Sequence, residues 1–210
     1  MAKVILINGS PKKDGCTATA LEEMVKIFET EGVETEIIQV GNQNIRGCIS
    51  CRKCMESGKC VFDDLVNEAA EKLDEADGLV IGSPVYYGSP NGSLLCFLDR
   101  LFYSTMMSKD LRMKVGASVV SARRGGNTAS FDVLNKYFTI SSMPVASSTY
   151  WNQVHGFTPE DVRKDLEGLQ VMRNLARNMV FMMRAISDAK DKYGLPKTEN
   201  EAFTSFADGK

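Results

Sequence analysis

The sequence of 210 residues carries no excess of positive charge. It has 25 Lys and Arg residues against 27 Asp and Glu residues, and the basic residues are scattered along the chain. A protein that binds nucleic acid normally concentrates its basic residues on one face, where they meet the phosphate backbone. The composition therefore argues against nucleic acid as a partner.

Long apolar runs are also missing. No stretch approaches the roughly 20 apolar residues that a helix needs to cross a bilayer, and the N-terminal MAKVILING enters a strand pattern without the apolar region of a secretory signal. We therefore expect a cytoplasmic protein with no membrane partner. In that reducing compartment the six cysteines should be thiols, metal ligands or redox groups and not structural disulfides.

Short β-branched runs alternate with helical patterns, which is typical of a parallel sheet covered by helices on both faces. The runs predict five strands, at residues 3–8, 35–40, 78–82, 114–120 and 142–147. Apolar positions at helical spacing predict helices around residues 21–28, 66–73 and 94–102. A last helix should start at the N-cap Thr158 and continue through Ile186.

Right-handed crossovers turn this order of elements into one doubly wound α/β sheet. We expect a single domain over residues 1–187, followed by a polar and partly ordered tail over residues 188–210. In such a sheet the ligand lies in the crevice at the carboxyl ends of the strands. The loops at those ends are therefore the candidate site.

The first of these loops joins strand one directly to helix one and reads GSPKKDGCT over residues 9–17. A loop rich in Gly and Ser/Thr can direct backbone N–H groups and hydroxyls at a phosphate on the positive end of the helix dipole. Five residues separate Gly9 from Gly15, and Cys16 stands where a Walker A lysine would, so the loop matches neither Walker A nor GxGxxG. The loop favours one terminal phosphate, with an ordinary turn and N-cap as the alternative.

Two further loops follow strands three and four. The second loop reads GSPVYYGSPNG over residues 82–92, and its adjacent tyrosines offer a flat wall suited to a planar heterocycle. The third reads SARRGGNT over residues 121–128. Its glycines allow close backbone approach, and Arg123 or Arg124 can stabilise developing negative charge. Each loop taken alone is also compatible with an ordinary surface loop.

Together the three loops resemble those of the flavodoxin-like NADPH-dependent FMN reductases, a family that includes iron–sulfur flavoproteins. The resemblance covers roughly residues 3–187 and is carried by GSPK with Thr17, by SPVYYG at 83–88, by LDR at 98–100 and by Gly125-Gly126. It implies bound FMN and a flavodoxin-like sheet of five parallel strands in the order 2-1-3-4-5, with helices on both faces.

The resemblance also implies which residues contact FMN. Around the phosphate would lie Ser10, Lys12, Cys16 and Thr17, although relatives commonly carry Asn in place of Cys16. The isoalloxazine ring would be contacted by Pro84, Val85, Tyr86, Tyr87 and Gly88. Along its other edge would lie Ser121, Arg123, Gly125 and Gly126. The segment YWNQVHG at 150–156, with the single histidine His155, is similar to a subgroup of these reductases, and its spacing indicates no role.

Four of the six cysteines are crowded between strand two and the next helix, at Cys48, Cys51, Cys54 and Cys60. Closely spaced cysteines on one loop can wrap an iron–sulfur cluster, and the spacing resembles the compact cluster motif of iron–sulfur flavoproteins. Similar loops also occur in FMN reductases without a cluster. A [4Fe–4S] cluster, a zinc site and free or redox-active thiols all remain compatible with the pattern.

A flavin cofactor implies an oxidoreductase. NAD(P)H, as a transient donor, would pass hydride to flavin N5, and a small-molecule acceptor of the FMN or quinone type would then replace it. Two alternatives stay open: an iron–sulfur flavoprotein that carries single electrons from a ferredoxin, and a non-catalytic thiol- or redox-sensing protein on the same fold.

The segment 97–107 predicts self-association. It contains more large apolar side chains than one sheet-facing stripe can bury, namely Phe97, Phe102, Tyr103, Met106 and Met107. Large exposed apolar patches normally mark interfaces. We therefore expect a homodimer or a homotetramer.

Overall fold

The computed structural model describes residues 1–106, 108–199, 201, 202 and 204. Its strands, in chain order, are β1 (Lys3–Asn8), β2 (Glu34–Gln39), β3 (Gly78–Tyr86), β4 (Ser89–Pro90), β5 (Val115–Ala122) and β6 (Gln153–His155). Its helices are α1 (Cys16–Thr30), α2 (Cys54–Ser57), α3 (Leu65–Asp74), α4 (Gly92–Thr105), α5 (Asn127–Ile140), α6 (Pro159–Lys164) and α7 (Leu166–Tyr193). Met107 and part of the predicted tail lie outside the described residues.

Five of the strands form a parallel sheet in the order β2-β1-β3-β5-β6, and the short β4 pairs antiparallel with the end of β3. Counting the parallel strands alone, this is the order 2-1-3-4-5, so the predicted fold is confirmed. Asn8 pairs with both Gln39 and Gly82, and Pro84 pairs with Ser121. The carboxyl ends of the central strands therefore lie side by side.

The sheet has a separate apolar core on each face. Along β1, Val4 and Leu6 pack into the core that α1 and α7 cover, whereas Ile5 and Ile7 pack into the core beneath α3, α4 and α5. This alternation follows from the two-residue period of a strand. Because both faces are covered, the central strands β1, β3 and β5 are buried along most of their length, whereas the edge strands β2 and β6 carry polar, exposed residues.

The fifth parallel strand is not where we predicted it. Residues 142–147 contribute only one isolated bridge, between Val145 and Gly116, and the strand is instead β6 (Gln153–His155). Pro144 accepts a bond from the Gly116 backbone but has no N–H to donate, which prevents a continuous ladder there. The apolar run therefore crosses the start of β5 without becoming a strand.

The predicted C-terminal helix is two helices. Asp165 interrupts it with φ −76° and ψ 74°, and its side chain caps α7 by accepting from the Gly168 backbone at 2.9 Å. The prediction of a start at Thr158 is confirmed, with a capping box to Asp161. The second helix continues past residue 187 to Tyr193, and α5 was not predicted at all.

The argument for self-association changes with the structure. Phe97 and Phe102 are buried within the chain, at 0% and 8% exposure, while Met106 is 58% exposed. The first two residues therefore do not form an exposed patch, and the oligomeric state stays a prediction.

In the part of the chain that the structure describes, no helix is both long enough and apolar enough to cross a membrane.

Gly116 tests the packing of β5 against α5. A Cβ at this position would lie 2.5 Å from Cγ and Cδ1 of Phe138, a fully buried ring. We expect Gly116→Ala to lower the free energy of unfolding by about 1–3 kcal/mol, the usual consequence of overpacking a core. Urea unfolding measures this.

The matched control is Gly92→Ala, since a Cβ on Gly92 in the first turn of α4 meets open space. It should leave the free energy of unfolding within about 0.5 kcal/mol of the parent. Equal unfolding midpoints for the two variants would contradict the described packing.

Candidate functional site

Three loops converge at the carboxyl edge of the sheet. The Gly9 N–H donates to the carbonyl of Gly82 at 2.8 Å, which extends the ladder between β1 and β3 beyond the strands. Asn91, at the start of α4, donates from Nδ2 to the carbonyl of Gly9 at 2.7 Å, and its N–H donates to Ser83 Oγ at 3.0 Å. The first two predicted loops are therefore fixed to each other.

The first loop is supported from below by polar side chains of β1 and β2. Asn8 Oδ1 accepts from the Ser10 N–H at 3.0 Å, and Gln39 Nε2 donates to the Ser10 carbonyl at 2.6 Å. The Ser10 hydroxyl in turn accepts from the Lys12 N–H at 3.2 Å. These bonds leave Lys12 exposed, so its ammonium can meet an anion at this edge.

The N-terminus of α1 opens onto the first loop. Gly15 is its N-cap and forms no side-chain capping bond. The first backbone N–H groups of a helix have no partner within the helix and carry the positive end of its dipole. An uncapped terminus behind a glycine-containing loop fits a phosphate.

Cys16 and Thr17 follow this cap. Burial raises the pKa of the Cys16 thiol despite the opposing effect of the Lys12 ammonium, and its Sγ contacts the carbonyl of Gly156 at 3.7 Å. Thr17 is 1% exposed, and its hydroxyl is 2.8 Å from the Ser121 hydroxyl. In this structure Thr17 ties α1 to β5 beneath the loop, and its direct phosphate contact stays a prediction.

The second loop is a hairpin between β3 and β4 with Tyr87 and Gly88 at its tip. Both tip residues have positive φ, at 53° and 74°. This conformation closes a two-residue hairpin, and at Tyr87 it is strained because side chains other than Gly rarely adopt it. The hairpin holds Tyr87 fully exposed and Tyr86 at 46% exposure, so both aromatic rings are accessible to a planar ligand.

The third loop approaches the second through Gly126. A Cβ on Gly126, whose φ is +95°, would lie 2.8 Å from Val85 Cγ1 and 2.9 Å from the Gly88 Cα. Arg123 and Arg124 are both exposed beside it. The structure thus brings all of the predicted FMN contacts to one edge of the sheet, and the uncapped helix and exposed tyrosines fit a phosphate joined to a flat ring.

The four predicted metal ligands border one small cavity. Cys48, Cys51, Cys54 and Cys60 line it together with Arg52 and Arg100. Cys48 and Cys51 are exposed, Cys54 is buried and Cys60 is half-buried. Ser50 and Arg52 on either side of Cys51 have positive φ, at 53° and 58°. Strained backbone of this kind often accompanies a binding site.

The four side chains are of the ligand type that an iron–sulfur cluster uses, and they are free thiols that are spread apart in this structure. Burial raises the pKa of Cys54, and the neighbouring Cys60, Cys51 and Cys48 raise it further, so that the unliganded group stays a thiol at neutral pH. Among the described residues, no three His, Cys, Asp or Glu side chains lie close enough together to hold a metal ion in their present positions. Cysteine thiolates are the ligands of iron–sulfur clusters, and here the exposed thiols would have to converge on the others.

Three supporting residues escaped the sequence prediction. Asn8 and Gln39 are the last residues of β1 and β2, and their side chains also bond to each other at 2.8 Å. The sequence signal that could have identified both residues is a polar side chain directly after isoleucine at the carboxyl end of a strand. Arg100 belonged to the LDR segment but had no assigned role, and it lies 1% exposed beside the cysteine cavity.

The segment around His155 forms a different cavity. Trp151, His155 and Asp165 line it, with Tyr150 packed against Trp151 at 5.1 Å between ring centroids. The Asp165 carboxylate accepts from the His155 N–H at 2.7 Å and lies 3.8 Å from its Nδ1. His155 pairs with Ala122 at the end of β5, which places the segment beside the third loop.

Gly126→Ala tests the contact between the second and third loops. We expect FMN binding to weaken about tenfold, because strain of about 1–2 kcal/mol at positive φ and the close contacts can be relieved only by separating the loops. Gly32→Ala is the control, since Gly32 has φ +71° with nothing near its Cβ. Flavin fluorescence titration should show an unchanged Kd for the control, and an unchanged Kd for Gly126→Ala would contradict the geometry.

The buried pair of hydroxyls gives a second test. Ser121→Ala leaves Thr17 Oγ1 without its partner, and we expect the free energy of unfolding to fall by about 1–2 kcal/mol. Adding Thr17→Val removes the stranded hydroxyl and should restore part of this loss. Unfolding of both single variants and the double variant measures the coupling. Strictly additive effects would show that the two hydroxyls do not interact.

Comparison with known proteins agrees with this geometry. The model of the NADPH-dependent FMN reductase family matches residues 2–157. An iron–sulfur flavoprotein of Methanocaldococcus jannaschii is 35% identical over 191 residues, which cover 88% of this chain and 98% of that protein. The match confirms the resemblance drawn from the loops and from the cysteine spacing.

Solved structures show the same fold. RosB with bound 8-demethyl-8-formylriboflavin-5'-phosphate has a TM-score of 0.73 at 16% identity, covering 98% of this chain and 90% of that one. A WrbA-like flavodoxin from Agrobacterium tumefaciens has a TM-score of 0.60 at 14% identity, covering 88% of this chain and 99% of that one. The chain therefore belongs to the NADPH-dependent FMN reductase family, a family of FMN-binding oxidoreductases with a flavodoxin-like fold, and is a relative of the iron–sulfur flavoproteins.

Proposed function

We propose that this protein is an FMN-dependent oxidoreductase that also carries an iron–sulfur cluster on its four-cysteine loop. Electrons would pass between FMN at the carboxyl edge of the sheet and the cluster at the loop. A small redox protein such as a ferredoxin would be the partner for single electrons, and a small molecule the other substrate.

One observation carries the proposal. All four cysteines of the motif border the same cavity, and the Arg100 guanidinium donates to one of the sulfurs, Cys60 Sγ, at 3.3 Å. The similarity to the iron–sulfur flavoprotein of M. jannaschii supports this assignment, because it extends over 98% of that protein. When bound, a flavin exchanges hydride or single electrons and a cluster exchanges single electrons.

The chain's own residues would hold FMN through the loops already described. The N-terminus of α1, Ser10 and Lys12 would hold the phosphate, and Tyr86 and Tyr87 would border the ring. Arg123 or Arg124 would stabilise negative charge on the reduced ring. None of these residues belongs to the cysteine loop, so FMN binding should not depend on it.

Helix α4 connects the two regions. Its N-cap, Asn91, belongs to the flavin loops, whereas Arg100 in its third turn borders the cysteine cavity. Nine residues of helix correspond to about 13 Å along its axis. One rigid element therefore relates the positions of both proposed redox groups.

A second candidate is an NAD(P)H-dependent FMN or quinone-type reductase without a cluster. The observation that favours it is the full exposure of Tyr87 at the hairpin tip, with Tyr86 half-exposed beside it. Such open aromatic faces suit the stacking of a nicotinamide ring from NADH or NADPH. Rapid oxidation of NADH or NADPH by protein that contains FMN but no iron would favour this candidate.

Anaerobic reconstitution with FMN, iron and sulfide tests the proposal. We expect one FMN and about four iron atoms per chain, with visible absorption bands of both groups. Cys51→Ser should abolish iron binding and leave the FMN content and the far-UV circular dichroism unchanged. Cys96→Ser is the matched control, because Cys96 lies on α4 outside the motif, and it should retain the iron.

Three results would contradict the proposal. FMN without iron would favour the reductase without a cluster. Zinc in place of iron, with unfolding of Cys51→Ser, would indicate a structural metal site. Absence of FMN after reconstitution would remove the flavin assignment itself.

A further inference from the structure

Arg100 is the largest fully buried side chain among the described residues. A buried guanidinium is unfavourable unless it is paired and its donors are satisfied. An apolar residue at this position would fill the space between α4 and the cysteine loop without that difficulty. The presence of a charged residue here indicates a role other than filling space, and its contacts show what that role is.

The Arg100 guanidinium donates hydrogen bonds to three residues and lies over the ring of a fourth. Nη1 and Nη2 donate to the two oxygens of the Asp64 carboxylate at 2.7 and 2.8 Å. Nε donates to Cys60 Sγ at 3.3 Å, and Nη1 also donates to the Arg46 carbonyl at 3.4 Å. Its Cζ lies 4.9 Å from the centroid of the Phe62 ring.

These contacts lie on both stems of the cysteine loop. Arg46 precedes the first cysteine of the motif, whereas Cys60, Phe62 and Asp64 end the loop. Asp64 is also the N-cap of α3, where it accepts from the Val66 N–H at 3.2 Å. Arg100 thus closes the base of the loop and joins it to two helices.

Cys60 is the ligand whose position is already fixed. Asn67 Oδ1 accepts from its N–H at 2.9 Å, and Asn67 Nδ2 donates to its carbonyl at 3.1 Å. Its sulfur faces the guanidinium. Cys48 and Cys51 are instead exposed, at the outer part of the loop. The loop therefore combines one pre-positioned sulfur with others that are free to converge.

We propose that Arg100 is a positioning residue for the cluster: it holds the Cys60 sulfur in place and sets the reduction potential through the Nε–H bond to that sulfur. This inference deepens the proposed function and rests on it. Hydrogen bonds to the sulfur ligands are one of the determinants of a cluster's potential. Because an N–H donated to a ligand sulfur stabilises the more negative reduced state, this bond raises the potential, whereas the charge of Arg100 is already paired with the Asp64 carboxylate.

A clamp without any electrostatic role is the competing explanation. Both explanations predict that removal of Arg100 loosens the loop, but only our proposal predicts a change of potential. Arg52 provides the matched control, since it lines the same cavity but is exposed. A general effect of positive charge near the cavity would be the same for both arginines.

The experiment compares Arg100→Gln, Arg100→Lys and Arg52→Gln with the parent, each reconstituted anaerobically with FMN, iron and sulfide. Redox titration gives the cluster potential, and iron transfer to a chelator gives its rate of loss. We expect Arg100→Gln to have a more negative potential and to lose iron about 10–100-fold faster, as for other groups that support a metal ligand. Arg100→Lys should shift both quantities in the same direction by less, and Arg52→Gln should match the parent.

FMN content and far-UV circular dichroism identify variants that are folded. If Arg100→Gln does not fold, the potential of Arg100→Lys decides. Unchanged potentials in the folded Arg100 variants, or faster iron loss without a change of potential, would overturn the role assigned to the sulfur bond. A parent protein that binds no iron would overturn the proposed function, and this inference with it.

Discussion

The shared register of β1, β3 and β5 is the constraint on which the candidate site depends. Parallel pairing brings their carboxyl ends to one edge, and the bond from the Gly9 N–H to Gly82 continues the pairing for one residue into the loop. Asn91 then links the loops after β1 and β3 while it begins α4. A change of register would move every loop of the site relative to its neighbours.

Much of this arrangement follows from local sequence. The apolar runs and crossover rules gave a doubly wound parallel sheet, and the resemblance to flavodoxin-like reductases gave its strand order. The glycine-rich and tyrosine-rich segments gave the loops at the strand ends. Pairing between distant residues is harder to predict. Thr17 has the type and position of a phosphate ligand, yet its nearest hydroxyl belongs to Ser121, over a hundred residues later. No local pattern contains that information.

The missed elements have similar causes. The run at 142–147 is apolar enough for a strand, but Pro144 and the path of the chain limit it to one bridge. β6 has only three residues, too few for a periodic signal, and its parallel partner β5 defines it. Phe131, Leu134 and Phe138 did show the spacing of α5. Asp165 is compatible with both a helix interior and a helix cap, and only its folded conformation distinguishes them.

The hairpin between β3 and β4 stands apart from the parallel sheet that supports the candidate site. Its two-residue tip projects beyond the parallel ladder, and a Cβ on Gly88 would meet nothing. Closing a slightly longer loop adds little entropy cost, and surface loops accept replacement more readily than core strands do. A change at the aromatic tip would therefore alter this part of the surface without disturbing the loop after β1.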